Sequence, residues 1–274
     1  MKKKLLIIGQ NSFIANSLYN YLNKSFIIRK VSFTFFKNLK LNYIEKFDYI
    51  LNCSILKNYI KKKYSIKNDI DTLIANKIIK LSCNYIFLST RKVYRVNSNI
   101  KETSSLRPKC NYSKNKLKTE ILLKKILKDK VLILRLSNLI GERSKKNFKR
   151  RKHNIFIDYF FDNIKKKILF DNGKVYKDFI SIKQFTTIFK KLINYNATGT
   201  FNVSAGKRIY LNDVINWLNY YNSQDIKLQK PLKNYNKDCF YLNNKKLEKR
   251  INFKINMTDL KKDCKKISKN YFNK

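Results

Sequence analysis

Residues 3–8 are a short apolar-rich run that stops on Gly9, and an amphipathic stretch over 12–22 follows at once. A strand that breaks on a glycine and enters a helix aims unpaired backbone N–H groups beyond the strand end. This is the opening of a βαβ unit built to meet a pyrophosphate, and it commits the chain to a parallel sheet with crossover helices. The spacing Gly9-x-x-Ser12-x-x-Ala15 replaces two glycines of the usual pattern. Small residues still permit close approach, and Ser12 brings a hydroxyl that can donate to phosphate.

The same alternation continues. A strand over 26–31 comes next, then one over 47–54 that ends in Asn52-Cys53-Ser54. A helical crossover over 66–81 leads to a strand over 85–88 that ends in Ser89-Thr90. A helix over 111–128 precedes a strand over 131–136, which ends in Ser137-Asn138 ahead of Gly141. In a doubly wound sheet ligands bind past the carboxyl ends of the strands, so Asn52, Ser54, Ser89 and Thr90 are expected to share a rim with Gly9. After Gly141 the elements become irregular: helices over 155–166, 182–194 and 211–221, and short strands over 168–170, 178–181 and 200–203. The lysine-rich stretch 245–274 reads as a solvated helical tail. The expected architecture is α/β, a doubly wound parallel sheet, with a dinucleotide-binding domain over 1–142. Residues 143–274 are expected to be mainly a smaller substrate-binding lobe, partly interleaved with the first domain.

Composition narrows the chemistry. At 274 residues and 43% hydrophobic content the chain can bury a sizeable core. It has no apolar run of membrane-spanning length, and its apolar segment over 5–8 is too short for a signal-peptide core. A cytoplasmic protein is expected. The five cysteines are scattered, with none paired at metal-ligand spacing, and His153 is the single histidine. These features argue against a metal site, a disulfide framework and a histidine-based triad. A net charge of +44 invites a nucleic-acid partner, but the lysines are spread along the chain and only 10 of the 62 cations are arginine. Joint enrichment in Lys, Asn, Ile, Tyr and Phe points to codon bias, and nucleic-acid binding is not expected. The best polyanion contact is the cluster from Lys145 to Lys152, beside His153.

Tyr112 and Lys116 stand four apart within the helix over 111–128, and so share one helical face. A phenol titrates near ~10, and an adjacent ammonium favours the phenolate, which makes the pair a usable acid/base device. The stretch 31–34 after the second strand has no carboxylate to hold a ribose 2′-hydroxyl, while Arg29 and Lys30 are close by. That is a slight lean to NADP over NAD.

The order of these elements over about 3–218 resembles the extended short-chain dehydrogenase/reductase family, the Rossmann-like nucleotide-sugar epimerases, dehydratases and reductases. The resemblance is carried by Ile8 to Ala15, Asn52-Cys53-Ser54, Asn68, and Leu88-Ser89-Thr90-Arg91-Lys92-Val93-Tyr94. It continues through Tyr112-Ser113-Lys114-Asn115-Lys116 with Glu120, Leu134 to Gly141, Lys177-Asp178-Phe179-Ile180 and Gly199-Thr200-Phe201-Asn202-Val203. It implies Tyr112 as general acid/base, Lys116 as its tuning cation and ribose ligand, and Thr90 as a hydroxyl on the same substrate oxygen. It further implies Gly9, Ser12, Phe13 and Ile14 at the pyrophosphate, with Ser54 and Asn68 near the cofactor. Asn138 and Lys177 are implied at the substrate diphosphate, the latter where the family usually has arginine. A nucleoside-diphosphate sugar is the implied substrate, a homodimer the implied assembly, and surface polysaccharide synthesis the implied setting.

Dehydratases of this family place an Asp-Glu pair after the catalytic threonine, where this chain has Arg91 and Lys92. Neither can act as the acid and base that elimination needs. The modest length, the Asn52-Cys53 strand end and the absence of a third hydroxyl beside Ser89-Thr90 resemble the 4-ketosugar reductases. A 4-epimerase with bound NAD is the alternative, and a non-enzymatic polyanion-binding member a second one.

Overall fold

The computed structural model describes residues 1–142, 156–170, 174–223, 227–229 and 239–273. His153 and the basic cluster from Lys145 to Lys152 lie outside the described residues. In chain order the elements are β1 (Lys4–Ile8), α1 (Phe13–Leu22), β2 (Ile27–Val31), α2 (Phe33–Asn38), α3 (Leu41–Ile44), β3 (Tyr49–Asn52) and α4 (Lys57–Lys61). A 3₁₀ turn at Ile66–Asn68 precedes α5 (Ile70–Ile78), β4 (Asn84–Thr90), α6 (Asn111–Leu127), β5 (Val131–Leu136) and β6 (Asn138–Ile140). Then come α7 (Phe156–Lys165), β7 (Ile168–Phe170), β8 (Tyr176–Lys177), β9 (Phe179–Ser181), α8 (Ile182–Asn194) and β10 (Gly199–Val203). The remainder includes β11 (Ile209–Tyr210), α9 (Leu211–Leu218), α10 (Lys245–Ile251) and α11 (Met257–Phe272).

Two compact units result. One comprises Met1–Arg95, Ser104–Leu136 and Ile188–Phe201; the other comprises Val96–Thr103, Ser137–Thr187 and Asn202–Lys274.

The first unit is built on a six-stranded sheet in the order β10-β5-β4-β3-β1-β2, in which β2, β1, β3, β4 and β5 pair in parallel. Parallel strands need cover on both faces. Alternate residues supply it: Leu6, Ile8, Ile50, Tyr85, Phe87, Val131 and Ile133 pack with Ile70, Ile74 and Ile78 of α5 and with Leu123 and Leu127 of α6. On the opposite face, in register with Leu5 and Ile7, Lys3 reaches the end of α8, donating to the Ile193 carbonyl at 2.6 Å. The strand order reverses between β1 and β3, and at such a switch point the carboxyl ends splay to leave a crevice.

The second unit pairs β6 with β9 in parallel and β8 with β11 antiparallel. At its centre the fully buried Asp178 accepts backbone N–H groups from Ala205 (3.0 Å), Gly206 (3.2 Å) and Leu242 (2.9 Å). The segment expected as a solvated tail is instead two packed helices. Leu260, Cys264 and Ile267 of α11 line one buried stripe at helical spacing, and the Ser268 hydroxyl accepts the Tyr221 N–H at 3.0 Å. The lysines occupy the other faces, which is why composition alone suggested solvent.

Left-handed backbone just beyond helix ends is supplied here by Lys128 (φ 52°) after α6, Lys167 (φ 55°) after α7, Asn196 (φ 45°) after α8 and Asn252 (φ 43°) after α10.

Candidate active site

Gly9 is where the first unit leaves no alternative residue. Its φ is +94°, and a Cβ there would lie 2.6 Å from the Ser54 Oγ, 2.8 Å from the Ser54 nitrogen and 2.9 Å from the Cys53 carbonyl carbon. The turn is held by Gly9 N–H on the Val31 carbonyl at 2.8 Å and by Cys53 N–H on the Ile8 carbonyl at 2.7 Å. So the ends of β1, β2 and β3 meet under the start of α1. Ser12 caps that helix, its hydroxyl oxygen accepting the Ala15 N–H at 3.0 Å, and Ala15 is fully buried. The first turn of α1 has no acidic residue to oppose an anion. Phe13 and Ile14 are half-buried in this turn. A glycine with no room for a side chain and an uncharged cap at a helix start together fit the pyrophosphate of a dinucleotide.

Beyond β2, Ser32 caps α2 by accepting the Phe35 N–H at 3.0 Å. Lys30 turns back onto α1, donating to the Asn16 Oδ1 at 2.7 Å with its ammonium 4.5 Å from the Tyr19 ring centroid.

The acid/base elements stand on β4 and α6. Thr90 ends β4, its side chain accepting the Lys92 N–H at 3.3 Å while its hydroxyl hydrogen-bonds the Tyr112 phenol. Burial, with the Cys110 sulfur, pushes the Tyr112 phenol up to about 12; the Thr90 bond opposes the rise and the Asp71 charge adds to it. This is the reverse of the shift expected from a neighbouring lysine. The cause is the burial of the phenol itself. Lys116 is buried too and donates to the Leu88 carbonyl at 2.9 Å. Its ammonium is 4.3 Å from the Phe87 ring centroid and 4.0 Å from an Asp71 oxygen.

Asp71 and its neighbour Asp69 escaped sequence reasoning. Asp69 caps α5 and accepts from the hydroxyls of Thr72 (2.6 Å), Thr119 (2.7 Å) and Tyr64 (3.0 Å), which joins α5 to α6. Asn68, expected beside the cofactor, ends the 3₁₀ turn just before it and is half-buried. The one available signal was two carboxylates, Asp69 and Asp71, close together in one crossover of a chain that has only 18 acids against 62 bases.

Two expected rim residues are spent beneath the rim. Asn52 is buried, donating to Asp71 at 3.0 Å and accepting the Ser54 N–H at 2.8 Å, so it shapes the turn on which Ser54 sits. Ser89 donates into Glu120, which also receives Arg135 through Nη2 at 2.6 Å and Nε at 3.1 Å. Arg135 in turn donates to the Tyr94 hydroxyl at 2.8 Å. This buried cluster locks β4, β5 and α6 behind Thr90 and Tyr112.

In the second unit Asn138 begins β6 and donates to the Asp178 carbonyl at 2.9 Å, one residue from Lys177 on β8. The structure therefore brings Asn138 and the Lys177–Asp178 segment together, as it does Gly9 with Ser54, and Thr90 with Tyr112. Among the described residues no group of three or more His, Cys, Asp or Glu side chains is placed to hold a metal ion, and no helix is long and apolar enough to cross a membrane.

A family model for the NAD dependent epimerase/dehydratase family matches residues 38–204. The chain belongs to that family. The match spans the crossover α5, the Thr90 strand end, α6 with Tyr112 and Lys116, and β10. Solved structures similar across nearly the whole chain include a UDP-N-acetylglucosamine 4-epimerase from Methanobrevibacter ruminantium M1 in complex with UDP-N-acetylmuramic acid. It is 18% identical, with 99% of each chain covered and a TM-score of 0.80. A dTDP-4-dehydrorhamnose reductase from Clostridium acetobutylicum ATCC 824 is 16% identical, covering 96% of this chain and 98% of that one at a TM-score of 0.75. A dTDP-glucose 4,6-dehydratase from Bacillus anthracis str. Ames in complex with NAD is 14% identical, with 99% of each chain covered and a TM-score of 0.73. At these identities the likeness establishes the Rossmann-like fold. A search of the curated proteins finds no match.

Proposed function

We propose that this chain reduces the 4-keto group of a nucleoside-diphosphate sugar, using a nicotinamide cofactor. The observation that carries the reading is the placement of Thr90, at the end of β4, beside the half-buried Tyr112 phenol in the first turn of α6, a setting that favours the protonated phenol. A ketone reduction needs a proton donor at the carbonyl oxygen at neutral pH, whereas an alcohol oxidation needs a base. The chemistry that a reduced nicotinamide would supply there, when bound, is hydride. Tyr112 delivers its proton to the oxygen as the C=O double bond becomes a C–O single bond, and Thr90 orients that oxygen. The Gly9 turn, Ser12 with the first turn of α1, and Ser54 would hold the pyrophosphate of the cofactor, and Lys116 would bind its ribose. Asn138 and Lys177 are assigned to the diphosphate of the substrate. Arg91 and Lys92 follow Thr90 where an elimination would require carboxyl groups, so dehydration is disfavoured.

The cofactor reading extends to a preference for NADPH, supported by the absence of a carboxylate at 31–34. With Lys30 committed to Asn16, the uncommitted cation of that strand is the exposed Arg29. Fluorescence titration is expected to give NADPH binding at least as tight as NADH; a clear NADH preference refutes that part.

Purified protein incubated with NADPH and a panel of 4-keto nucleotide sugars is expected to consume cofactor with at least one ketone. Tyr112→Phe should slow the reaction by about 10²–10⁴-fold, the usual effect of a positioned acid. Thr90→Ala should cost less, since it removes one hydrogen bond and leaves the proton source. Co-purified cofactor that never turns over, together with interconversion of two C4 epimers, would replace this reading with the epimerase.

A further inference from the structure

The buried carboxylate of Asp71 stands between the two halves of the proposed site and has no part in the reaction as described above. Asp71 lies in the first turn of α5 and is 5% exposed. Its Oδ1 accepts from the Asn52 amide at 3.0 Å and from the Tyr85 hydroxyl at 2.7 Å. Its Oδ2 is the oxygen that faces Lys116, 4.0 Å from the ammonium. Asn52 uses its own oxygen to hold the Ser54 N–H at 2.8 Å, and Ser54 is the residue that closes the space around Gly9. An unbroken chain of contacts therefore runs from the Gly9 turn through Ser54, Asn52 and Asp71 to Lys116.

We propose that Asp71 is a positioning residue, which holds the Lys116 ammonium against α5 through Oδ2 and, through Oδ1 and Asn52, couples it to the turn under Gly9. This rests on the reading of Tyr112 and Lys116 as the acid/base pair and extends it by a third member. A carboxylate beside the ammonium offsets the pull that Lys116 would exert on the phenol, which keeps Tyr112 a proton donor.

The charged and titratable groups around Asp71 come from several elements. They are Asp69 on its own helix, Lys116 and Tyr112 on α6, Tyr59 on α4, Tyr85 on β4 and Cys53 after β3. Burial pushes the Asp71 carboxyl up to about 6, against the pull of Lys116 and with the push of Asp69. Near and below that pH a growing fraction of Asp71 is neutral, and the hold on Lys116 weakens.

Asp71→Asn is the sharp perturbation. The amide oxygen can keep both bonds made by Oδ1, while the amide nitrogen turns a donor towards Lys116. Carbon-13 NMR of protein labelled at aspartate carboxyl carbons identifies the Asp71 resonance as the one missing in Asp71→Asn. In the free protein its midpoint is expected near pH 6 and should rise by about one unit or more in Lys116→Met, since an opposite charge at this range shifts a carboxyl by roughly 1–3 units. Lys116→Gln, which retains a donor for the Leu88 carbonyl, provides the same comparison should the methionine variant fold poorly. A midpoint that does not move overturns the proposal, and this readout needs no substrate, so it stands apart from any failure of the reductase reading. With an active ketone, the alkaline limb of kcat/KM is expected to fall by about one pH unit in Asp71→Asn, as Tyr112 loses the carboxylate and feels Lys116. An unshifted profile with a uniformly lower rate and a lower Tm assigns Asp71 a structural role only and also overturns the proposal.

Discussion

Gly9→Ala tests whether the turn under α1 is as closed as its geometry says. Two costs are involved. The first is conformational, since a residue with a Cβ at φ +94° sits in left-handed territory, a strain of roughly 1–2 kcal/mol. The second is steric: contacts of 2.8 and 2.9 Å fall on the backbone of Ser54 and Cys53, which cannot swing away like a side-chain tip. Overpacking of that kind costs about 1–3 kcal/mol. Gly199→Ala separates the two, because Gly199 has a similar φ of +86° and nothing within 4 Å of the added Cβ. At roughly 2–4 °C per kcal/mol for a chain of this size, Gly9→Ala should melt about 2–12 °C below Gly199→Ala in a thermal scan. The same variant should also lose NADPH binding in the fluorescence titration, while Gly199→Ala retains it. Equal melting temperatures would mean that Ser54 and Cys53 yield easily, and the steric argument for the turn would fail.

Two further outcomes are expected. Glu120→Ala leaves Arg135 buried without the carboxylate that receives its Nε and Nη2, so denaturant unfolding should show a loss of about 3–5 kcal/mol; a loss below about 1 kcal/mol would show that the cluster adapts. Cys110 should alkylate before Cys53, Cys83 and Cys264 when the folded protein is treated with iodoacetamide and mapped by mass spectrometry. Burial raises the Cys110 thiol, but the Ser113 hydroxyl and backbone, with Lys92, bring it to a net lowered value, whereas burial pushes the other three up.

The parts of the site legible in the sequence were those with a local cause. Gly9 breaks an apolar run, Ser12 follows at capping distance, and Tyr112 and Lys116 share a helical face, so each was visible within a window of a few residues. What escaped depends on residues brought together from afar. Asp69 and Asp71 look like ordinary solvent-facing acids until Thr119, Tyr85 and Lys116, from later elements, close over them. Ser89 reads as a rim hydroxyl because it precedes Thr90, but strand alternation turns it to the other face, into Glu120. The direction of the Tyr112 shift failed for the same reason: spacing places a cation one turn away, yet says nothing of the burial, the Cys110 sulfur and the Asp71 charge that raise the phenol. In α11 the apolar stripe is present in the sequence but thin, and the surrounding lysines masked it.

The helix ends made by Lys128, Lys167, Asn196 and Asn252 have a consequence for how this fold balances its books. Each holds a side chain in backbone space where glycine is at ease, at a cost of up to roughly 1–2 kcal/mol for lysine and less for asparagine. Added together, such increments come to a few kcal/mol, a sizeable fraction of the margin of about 5–15 kcal/mol by which an ordinary domain stays folded. The chain therefore carries a reserve of unrealised stability at four loops, none of which contains a residue assigned to the site. A more heat-resistant form of the same catalyst is a few loop substitutions away, with its chemistry left where it is.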